Sequence, residues 1–264
     1  MALITDVITG WFAKIGRSYR ITLDHAGGLG RLTWDSAVAV VRLRVSFRDV
    51  LNQMYIMGIQ SLPIVFVTAS LAGIVTSQQG GYQLISSSPG YVLGTLVVQS
   101  VVLELGPLLT AIVLVGRIGA RITAELGTMV VSEQIDAFKS LGRDPVAILA
   151  APRIVAGLIT MPLLVGFADL VGIYAGMKMA QFDVGLAPER FYYGARLFWH
   201  NWDLFYGFAK SVVFGFVIPL ISVHMGLRTR GGAEGVGLQT TQAVMFMILT
   251  ILILDAMFPP LLLQ

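Results

Sequence analysis

Five apolar stretches, each about long enough to cross a lipid bilayer, constrain this sequence more than any other feature. A membrane-spanning helix needs roughly 20 predominantly apolar residues. The stretches predict transmembrane helices over residues 55–76, 91–119, 154–178, 205–227 and 243–263. Only 12% of the residues are charged and 56% are hydrophobic, which leaves too few polar residues to coat a soluble domain. The predicted fold class is therefore an all-α integral membrane protein.

The first 50 residues are amphipathic and too polar to span a bilayer. Leu3, Val7 and Trp11 recur at helical spacing, with Lys14 and Arg17 among them. A helix of this kind lies in the membrane interface, with its apolar face among the acyl chains and its cations near the headgroups. Residues 1–50 are therefore predicted to form interfacial helices. A soluble amphipathic helix packed on another domain is the alternative.

Lysine and arginine are unevenly distributed among the segments that connect the spans. Most lie in residues 1–50, in residues 120–153 and in the turn at Arg228 and Arg230, whereas the loop over residues 181–203 holds few. Cytoplasmic loops of membrane proteins carry an excess of these residues. The N-terminus and residues 120–153 are therefore predicted to lie in the cytoplasm, and the C-terminus on the opposite side. The same bias explains the net charge of +3, so nucleic-acid binding is not predicted.

Three ionisable residues, Glu104, Lys210 and Asp255, interrupt the apolar stretches. A charge at bilayer depth is costly, so each needs a partner, a polar cavity or a neutralising proton. Lys210 and Asp255 have similar inferred depths and are predicted to pair. Pro107 follows Glu104 closely and frees a carbonyl one turn back, which also requires a polar neighbour. The three residues either hold helices together or, for Glu104 at least, face a polar pathway.

The segment from residue 123 to residue 142 combines an apolar stripe with charges at helical spacing. Gly142 and Pro145 are typical of a helix end. The segment is predicted to be a cytoplasmic helix between the second and third spans, either an ordinary surface helix or one that docks in the groove of a partner and transmits its motion. Its predicted coupling residues are Glu125, Met129, Glu133, Gln134, Asp136, Phe138 and Leu141.

Two kinds of site are not expected in this chain. There are no cysteines, and the three histidines share no ligand spacing, so no metal site is predicted. The phosphate-binding motif G-x-x-x-x-G-K-[ST] is absent, and the glycine-rich stretch over residues 231–237 lacks its Lys-Ser/Thr end. The chain is therefore expected to bind no cofactor itself and to depend on another subunit for any use of nucleotide.

Several short motifs together resemble the MlaE/YrbE permeases, the membrane subunits of ABC transporters that move phospholipids together with MCE-domain proteins. The motifs are Glu104-Leu-Gly-Pro107, Gly116-Arg117-Ile-Gly119, Ser132-Glu133-Gln134-Ile135-Asp136-Ala137, Asp144-Pro145 and Pro152-Arg153. The resemblance extends from about Arg48 to Asp255. One departure is Leu103, where the family often has arginine before the glutamate.

The resemblance implies a homodimer in the bacterial inner membrane, with the C-terminus in the periplasm. It also implies a cytoplasmic ABC ATPase dimer that carries ATP and Mg, a STAS-domain protein and a periplasmic hexamer of MCE-domain subunits. The implied function is phospholipid transport that maintains outer-membrane lipid asymmetry. Predicted cavity-lining residues are Leu71, Ile74, Val75, Leu93, Val97, Ser100, Glu104, Met247 and Leu254.

Three alternatives remain open at this stage. The same architecture can import sterols or other lipids. A proton-coupled secondary carrier using Glu104, Lys210 and Asp255 is a second, although such carriers are commonly built from duplicated halves and no repeat is evident here. The third is a scaffold that anchors a periplasmic protein without transporting anything.

Overall fold

The computed structural model describes residues 23–84 and 89–262, and every regular element in this part of the chain is helical. Five of its helical segments are long and apolar enough to cross a membrane. The predicted all-α membrane fold with five spans is therefore confirmed. Most of the predicted N-terminal amphipathic helix, residues 1–22, lies outside the described residues.

The helices follow one another with short connections. The first, α1, covers residues 23–41. The remaining α-helices are α2 Phe47–Met57, α3 Leu62–Leu84, α4 Val92–Ser100, α5 Gly106–Leu114, α6 Ala120–Val131, α7 Gln134–Ser140, α8 Ala151–Asp183, α9 Pro188–Leu197, α10 Asn201–Gly226 and α11 Gly232–Leu262. A 3₁₀ turn occupies Ile59–Ser61, and π-helical turns occupy Val101–Leu105, Val115–Gly119 and Val146–Ala150.

The five spans are longer than the apolar stretches predicted. They cover Phe47–Leu84, Val92–Val131, Val146–Asp183, Asn201–Gly226 and Gly232–Pro260. The loop expected after residue 76 begins later, because Gly80 and Gly81 continue α3 in close contact with Leu93 and Val184. The loop expected over residues 181–203 contains the helix α9.

Glycines allow the central helix α8 to approach its neighbours closely. A side chain at Gly73 of α3 would overlap the carbonyl of Gly172 in α8, and one at Gly157 of α8 would overlap the carbonyl of Gly215 in α10. Small residues at such crossings let membrane helices pack backbone to backbone. Helix α8 is accordingly buried along much of its length, between α3 and α10.

The second span is interrupted twice by π-helical turns, at Val101–Leu105 and at Val115–Gly119. Turns of this kind inside α-helices are frequent at functional sites, because the extra residue changes the direction of nearby side chains. The first turn contains Glu104 and ends at Leu105, two residues before Pro107. The second contains Arg117. The two motifs that resemble the permease family in this span therefore coincide with its two irregular turns.

The prediction of one continuous helix over residues 123–142 is wrong. Helix α6 continues the second span to Val131, and α7 starts separately at Gln134. Between them Glu133 has a φ of 59°, the left-handed conformation that ends a helix. The sequence gives no warning of this break, because neither glycine nor proline lies at residues 129–135.

Candidate functional site

A groove of about 740 Å³ opens between α3 and the first half of the second span. Its volume is within the range of ligand pockets, roughly 300–1,000 Å³. The walls are mostly apolar with a few polar groups. The lining residues are Thr68, Leu71, Ala72, Val75, Thr76, Gln79, Gly80, Gln83, Leu96, Ser100, Glu104, Leu105 and Leu109. The groove therefore offers apolar walls to a chain-like ligand and a single carboxyl group to its polar part.

The predicted cavity residues separate into three sets. Four of them line the groove: Leu71, Val75, Ser100 and Glu104. Ile74 and Leu254 are half-buried outside it, and Leu254 packs against the main core. Leu93, Val97 and Met247 are buried in the protein, so their prediction as lining residues is wrong.

The three misplaced residues have specific neighbours. Leu93 and Val97 belong to a core cluster with Phe191 of α9. Met247 fills the space above Gly119, and its sulfur accepts a hydrogen bond of 3.1 Å from the hydroxyl of Ser222. These contacts join α4 to α9 and α11 to the second and fourth spans. They are structural contacts between helices.

The three predicted intramembrane charges meet at one point beside the groove. Nζ of Lys210 lies 2.6 Å from Oε2 of Glu104 and 2.7 Å from Oδ1 of Asp255. Lys210 is fully buried, whereas the Glu104 side chain is 41% exposed and forms part of the groove lining. The predicted pair of Lys210 and Asp255 is present, and Glu104 shares the same ammonium.

Lys210 also satisfies the backbone defect that Pro107 creates. Pro107 has no N–H to donate to the carbonyl one turn earlier, that of Leu103. Nζ of Lys210 donates a hydrogen bond of 3.2 Å to this carbonyl. The polar neighbour predicted for the proline is therefore the same lysine that holds Glu104. This links the shape of the second span to the charge cluster.

Asp169 of α8 was not among the predicted sites, although it interrupts the third apolar stretch. Its Oδ1 is buried without a hydrogen-bond partner in the described residues. It packs against Gly106, where a Cβ atom would overlap that oxygen. Glycine in Glu104-Leu-Gly-Pro107 thus leaves room for a carboxyl group from the neighbouring span. The charge pattern of the third stretch alone would have identified Asp169 as a candidate.

Two arginines connect helices at the end of the bundle where the second span ends and the third begins. Arg117, in the second π-helical turn, donates a short hydrogen bond to the hydroxyl of Ser61 in the 3₁₀ turn. Arg153, which is buried, donates to Oε1 of Glu125 at 2.8 Å and to the carbonyl of Leu149 at 2.6 Å. Glu125 was predicted to contact an ATPase. In this structure it connects α6 to the start of the third span.

The predicted apolar docking stripe is mostly covered by the protein itself. Leu126 and Ile135 are buried, and Met129 and Phe138 are partly buried against the main core. Leu141 alone among the predicted coupling residues is an exposed large hydrophobic side chain. Glu133, Gln134 and Asp136 are exposed, and Asp136 pairs with Lys139 at 2.9 Å. Apart from Leu141, the surface that α7 offers to a partner is polar, because the apolar face of α7 packs against the bundle.

The described residues contain no group of three or more His, Asp or Glu side chains arranged to hold a metal ion. Asp24, His25, Arg228 and Arg230 line a second, polar pocket of about 580 Å³ at the end of the bundle where α10 ends. The groove lies near the opposite end.

Comparison with known protein families gives a match over most of the chain. Residues 50–260 match the family model described as Permease MlaE. The chain belongs to this permease family. The MlaE family match includes the first span from Val50 onward, the other four spans and both π-helical turns of the second span.

Proteins similar to this chain occur in several organisms. A probable ABC transporter permease protein of Synechocystis is 36% identical over 84% of this chain and 84% of its own length. The intermembrane phospholipid transport system permease protein MlaE of Haemophilus influenzae is 30% identical over 94% of this chain and 96% of its own. The chloroplastic protein TRIGALACTOSYLDIACYLGLYCEROL 1 of Arabidopsis thaliana is 32% identical over 82% of this chain and 62% of its own length.

The motifs that resemble the MlaE family lie at bends and ends of helices in this structure. Glu104-Leu-Gly-Pro107 forms the junction between the first π-helical turn and α5, at the groove and the charge cluster. Gly116-Arg117-Ile-Gly119 forms the second turn. The residues of Ser132–Ala137 form the break before α7 and its first turn. The motifs are thus placed where helices bend or end.

Proposed function

We propose that this chain is the membrane subunit of an ABC transporter that moves phospholipid between the inner membrane and a periplasmic MCE-domain protein, and so maintains outer-membrane lipid asymmetry. The observation that carries the proposal is the groove, which ends at Glu104 beside the buried Lys210 in a chain of the MlaE family. The protein catalyses no reaction in this proposal. It supplies the path, and another subunit supplies the energy.

The groove suits a ligand with both acyl chains and a polar headgroup. Leu71, Val75 and Leu109 supply apolar wall, and burying each CH₂ group of an acyl chain contributes about 0.8 kcal/mol. Gln79, Gln83 and Glu104 supply hydrogen-bonding groups along the same wall. The name of the Haemophilus relative refers to phospholipid transport, which supports the same cargo. Sterols, with one hydroxyl group, would leave more of these polar groups unpaired.

A second copy of this chain is proposed to complete the cavity. The first and fifth spans are the least buried of the five. Helix α11 carries a row of exposed large hydrophobic side chains: Leu238, Met245, Phe246, Leu249, Leu252, Ile253 and Met257. A homodimer would cover part of this surface. The proposed assembly also includes a cytoplasmic ATPase dimer with ATP and Mg, a STAS-domain protein and a hexamer of MCE-domain subunits.

The positively charged segments set the proposed orientation. Arg42, Arg44 and Arg143 lie at the same end of the helices as α7, and so do Arg228 and Arg230. By the positive-inside rule this end faces the cytoplasm. The groove, which is lined by α3 from Thr68 to Gln83 and by the first half of the second span, then lies toward the periplasm. The C-terminus is proposed to lie there as well.

Coupling to the ATPase is proposed to act through the exposed polar side of α7. A partner that contacts Glu133, Gln134 and Asp136 would push on α7, which is packed against the core through Ile135 and Phe138. Movement would reach the second span through α6 and the third span through the Glu125–Arg153 ion pair. Narrowing of the groove would then displace the lipid.

Charge reversal on α7 tests the coupling step. The double variant Glu133→Lys/Asp136→Lys is expected to lose co-purification with the ATPase and the ATP turnover of the complex. Glu189→Lys, which reverses an exposed acid on α9 at the opposite end of the bundle, is the matched control. Unchanged ATPase binding and turnover in the double variant would contradict the coupling proposal.

Blocking the groove tests the transport path. In proteoliposomes containing the ATPase and an acceptor MCE-domain protein, ATP is expected to drive transfer of labelled phospholipid without a pH gradient. Val75→Trp, which fills the groove, should reduce this transfer, whereas Leu170→Trp on the exposed side of α8 should not. Transfer that requires a pH gradient and no ATP would instead favour a secondary carrier. Normal assembly without any transfer by the wild-type complex would favour a scaffold.

A further inference from the structure

The polar pocket at the end of α10 has a composition unlike the groove. It is lined by Asp24, His25, Val130, Leu227, Arg228, Thr229, Arg230 and Gln239, and its volume is about 580 Å³. We call it the basic pocket. It is built from α1, from the last turn of α6, from the connection between α10 and α11, and from α11 itself.

The charge of the basic pocket favours an anion. Arg228 and Arg230 contribute two guanidinium groups, against the single carboxylate of Asp24. Within residues 23–84 and 89–262, neither arginine has an acidic partner at ion-pair distance. Thr229, which is 3% exposed, lines the same pocket, and its buried hydroxyl has no hydrogen-bond partner among those residues. Two guanidinium groups without an acidic partner match the oxygens of a phosphate.

The contacts of Arg228 fix the proton positions of two histidines. Nη1 of Arg228 lies 3.3 Å from Nε2 of His224. Arginine has only donors, so this Nε2 must be an acceptor. Nδ1 of His25 lies 3.1 Å from the same Nε2 and must therefore carry a proton. In a neutral His25 the remaining ring nitrogen, Nε2, is unprotonated and can take up a proton.

The ring of His25 packs against two other rings. Its ring lies edge-on to His224 at 5.3 Å between centroids and 6.1 Å from the ring of Phe246 in α11. The titratable and charged groups that face it are Asp24 from its own helix, and His224, Arg228 and Arg230 from α10 and the following connection. Burial, and after it the charge of Arg228, lowers the pKa of His25. The negative charge of a bound anion acts in the opposite direction to Arg228 and favours the protonated ring.

We propose that the basic pocket binds the phosphate group of an anionic lipid headgroup, and that His25 takes up a proton when the phosphate binds. Arg228, Arg230 and the protonated Nε2 of His25 donate to the phosphate oxygens. A lipid is the favoured source of the phosphate because α1, which forms one wall, exposes Trp34 and Val41 as an interfacial helix does. Because the pocket and the groove lie near opposite ends of the helices, a change in the pocket leaves the groove intact.

Native mass spectrometry of the purified chain in detergent tests the site. Phosphatidylglycerol keeps a single phosphodiester charge, so a pH effect on its binding reports on the protein. The wild type is expected to bind phosphatidylglycerol more tightly than phosphatidylcholine, and more tightly at pH 6 than at pH 7.5. Loss of one charge-assisted hydrogen bond in Arg228→Gln or Arg230→Gln should weaken phosphatidylglycerol binding about tenfold. His25→Gln should remove the pH effect.

The matched control is Arg31→Gln, which changes an exposed arginine of α1 that does not line the pocket. Arg228→Gln also removes a contact with His224, so a loss of binding in that variant can come from a local change of structure. Arg230→Gln avoids this problem, because the Arg230 side chain has no hydrogen-bond or ion-pair partner within the described residues. Equal phosphatidylglycerol affinity in Arg230→Gln and Arg31→Gln would overturn the proposal. Binding of inorganic phosphate with the same pH and variant dependence, without any preference for phosphatidylglycerol, would overturn the lipid as its source. Each comparison is repeated with Val75→Trp, so that lipid held in the groove does not contribute.

Discussion

Nζ of Lys210 donates a hydrogen bond of 3.2 Å to the carbonyl oxygen of Leu103, which Pro107 leaves without its usual donor. The same ammonium contacts Glu104 of the second span and Asp255 of the fifth. One amine therefore satisfies a backbone defect and joins three spans. The proline and the charge cluster depend on each other, because a regular helix at Pro107 would leave Lys210 with fewer acceptors.

Removing this amine should destabilise the bundle strongly. Lys210→Met leaves two carboxyl groups and a carbonyl without their donor, and breaking a buried ion pair in this way costs about 3–5 kcal/mol. Reversible unfolding of the purified chain in mixed micelles measures the change. The triple variant Glu104→Gln/Lys210→Met/Asp255→Asn removes the charges together and should recover part of the loss. A Lys210→Met variant as stable as the wild type would show that the cluster contributes nothing.

Gly106 tests the contact between the second span and Asp169. A Cβ atom at this position overlaps Oδ1 of Asp169, so Gly106→Ala should destabilise the chain by about 1–3 kcal/mol, as overpacking usually does. Gly106→Ala/Asp169→Ala should restore most of the loss, and thermal unfolding of the four proteins in the cycle measures the coupling.

Gly166 provides the control for that substitution. It lies within α8, and a Cβ there meets nothing within 4 Å. Gly166→Ala should therefore be neutral or stabilise the chain by about 0.5–1 kcal/mol. If both alanine variants behave alike, helix propensity and not the Asp169 contact determines the effect at Gly106.

The charge cluster was predictable in part because charges within apolar stretches must find partners. Their number and depth indicated that Lys210 pairs with Asp255. They did not show that Glu104 shares the same ammonium, since that depends on which faces of three helices meet. Asp169 could have been found by the same reasoning, because it too interrupts an apolar stretch.

The cavity walls were harder to predict from the sequence. The spans are apolar on all sides, so hydrophobic periodicity does not separate a face toward a groove from a face toward another helix. Leu93, Val97 and Met247 are accordingly buried, although their side chains are as apolar as the Leu and Val side chains that line the groove. The break at Glu133 was missed for a different reason: an ordinary residue adopts the conformation usually taken by glycine.

That left-handed conformation gives a prediction about stability alone. For an L-residue it costs roughly 1–2 kcal/mol relative to glycine's freedom to adopt it. Glu133→Gly should therefore stabilise the chain by about 1 kcal/mol, whereas the β-branched Glu133→Val should destabilise it. Chemical unfolding in micelles distinguishes the two. If both substitutions have the same sign, loss of the Glu133 charge explains the result and backbone strain does not.

The contact between His25 and His224 should make the attachment of α1 sensitive to acid. Burial and the charge of Arg228 lower the pKa of His25 in the folded chain below its ordinary value of 6.5. The detached helix binds a proton more readily than the attached one, so attachment is strongest above pH 6.5 and weakens as the pH falls below that value. Intrinsic amide exchange slows as the pH falls, so the measured rate is divided by the intrinsic rate at each pH. Without anionic lipid, this ratio over residues 23–41 should increase between pH 7 and pH 5, and the increase is the excess acceleration.

His25→Phe keeps the ring beside Phe246 and removes the titrating group, so it should abolish the excess acceleration. Phosphatidylglycerol should also suppress it in the wild type, because an anion in the basic pocket stabilises the protonated ring. Exchange over residues 201–226, within the fourth span, serves as the internal reference for overall stability. His25→Phe removes the contact between the two histidine rings. If this variant and the wild type show the same excess acceleration, the acid sensitivity does not come from His25.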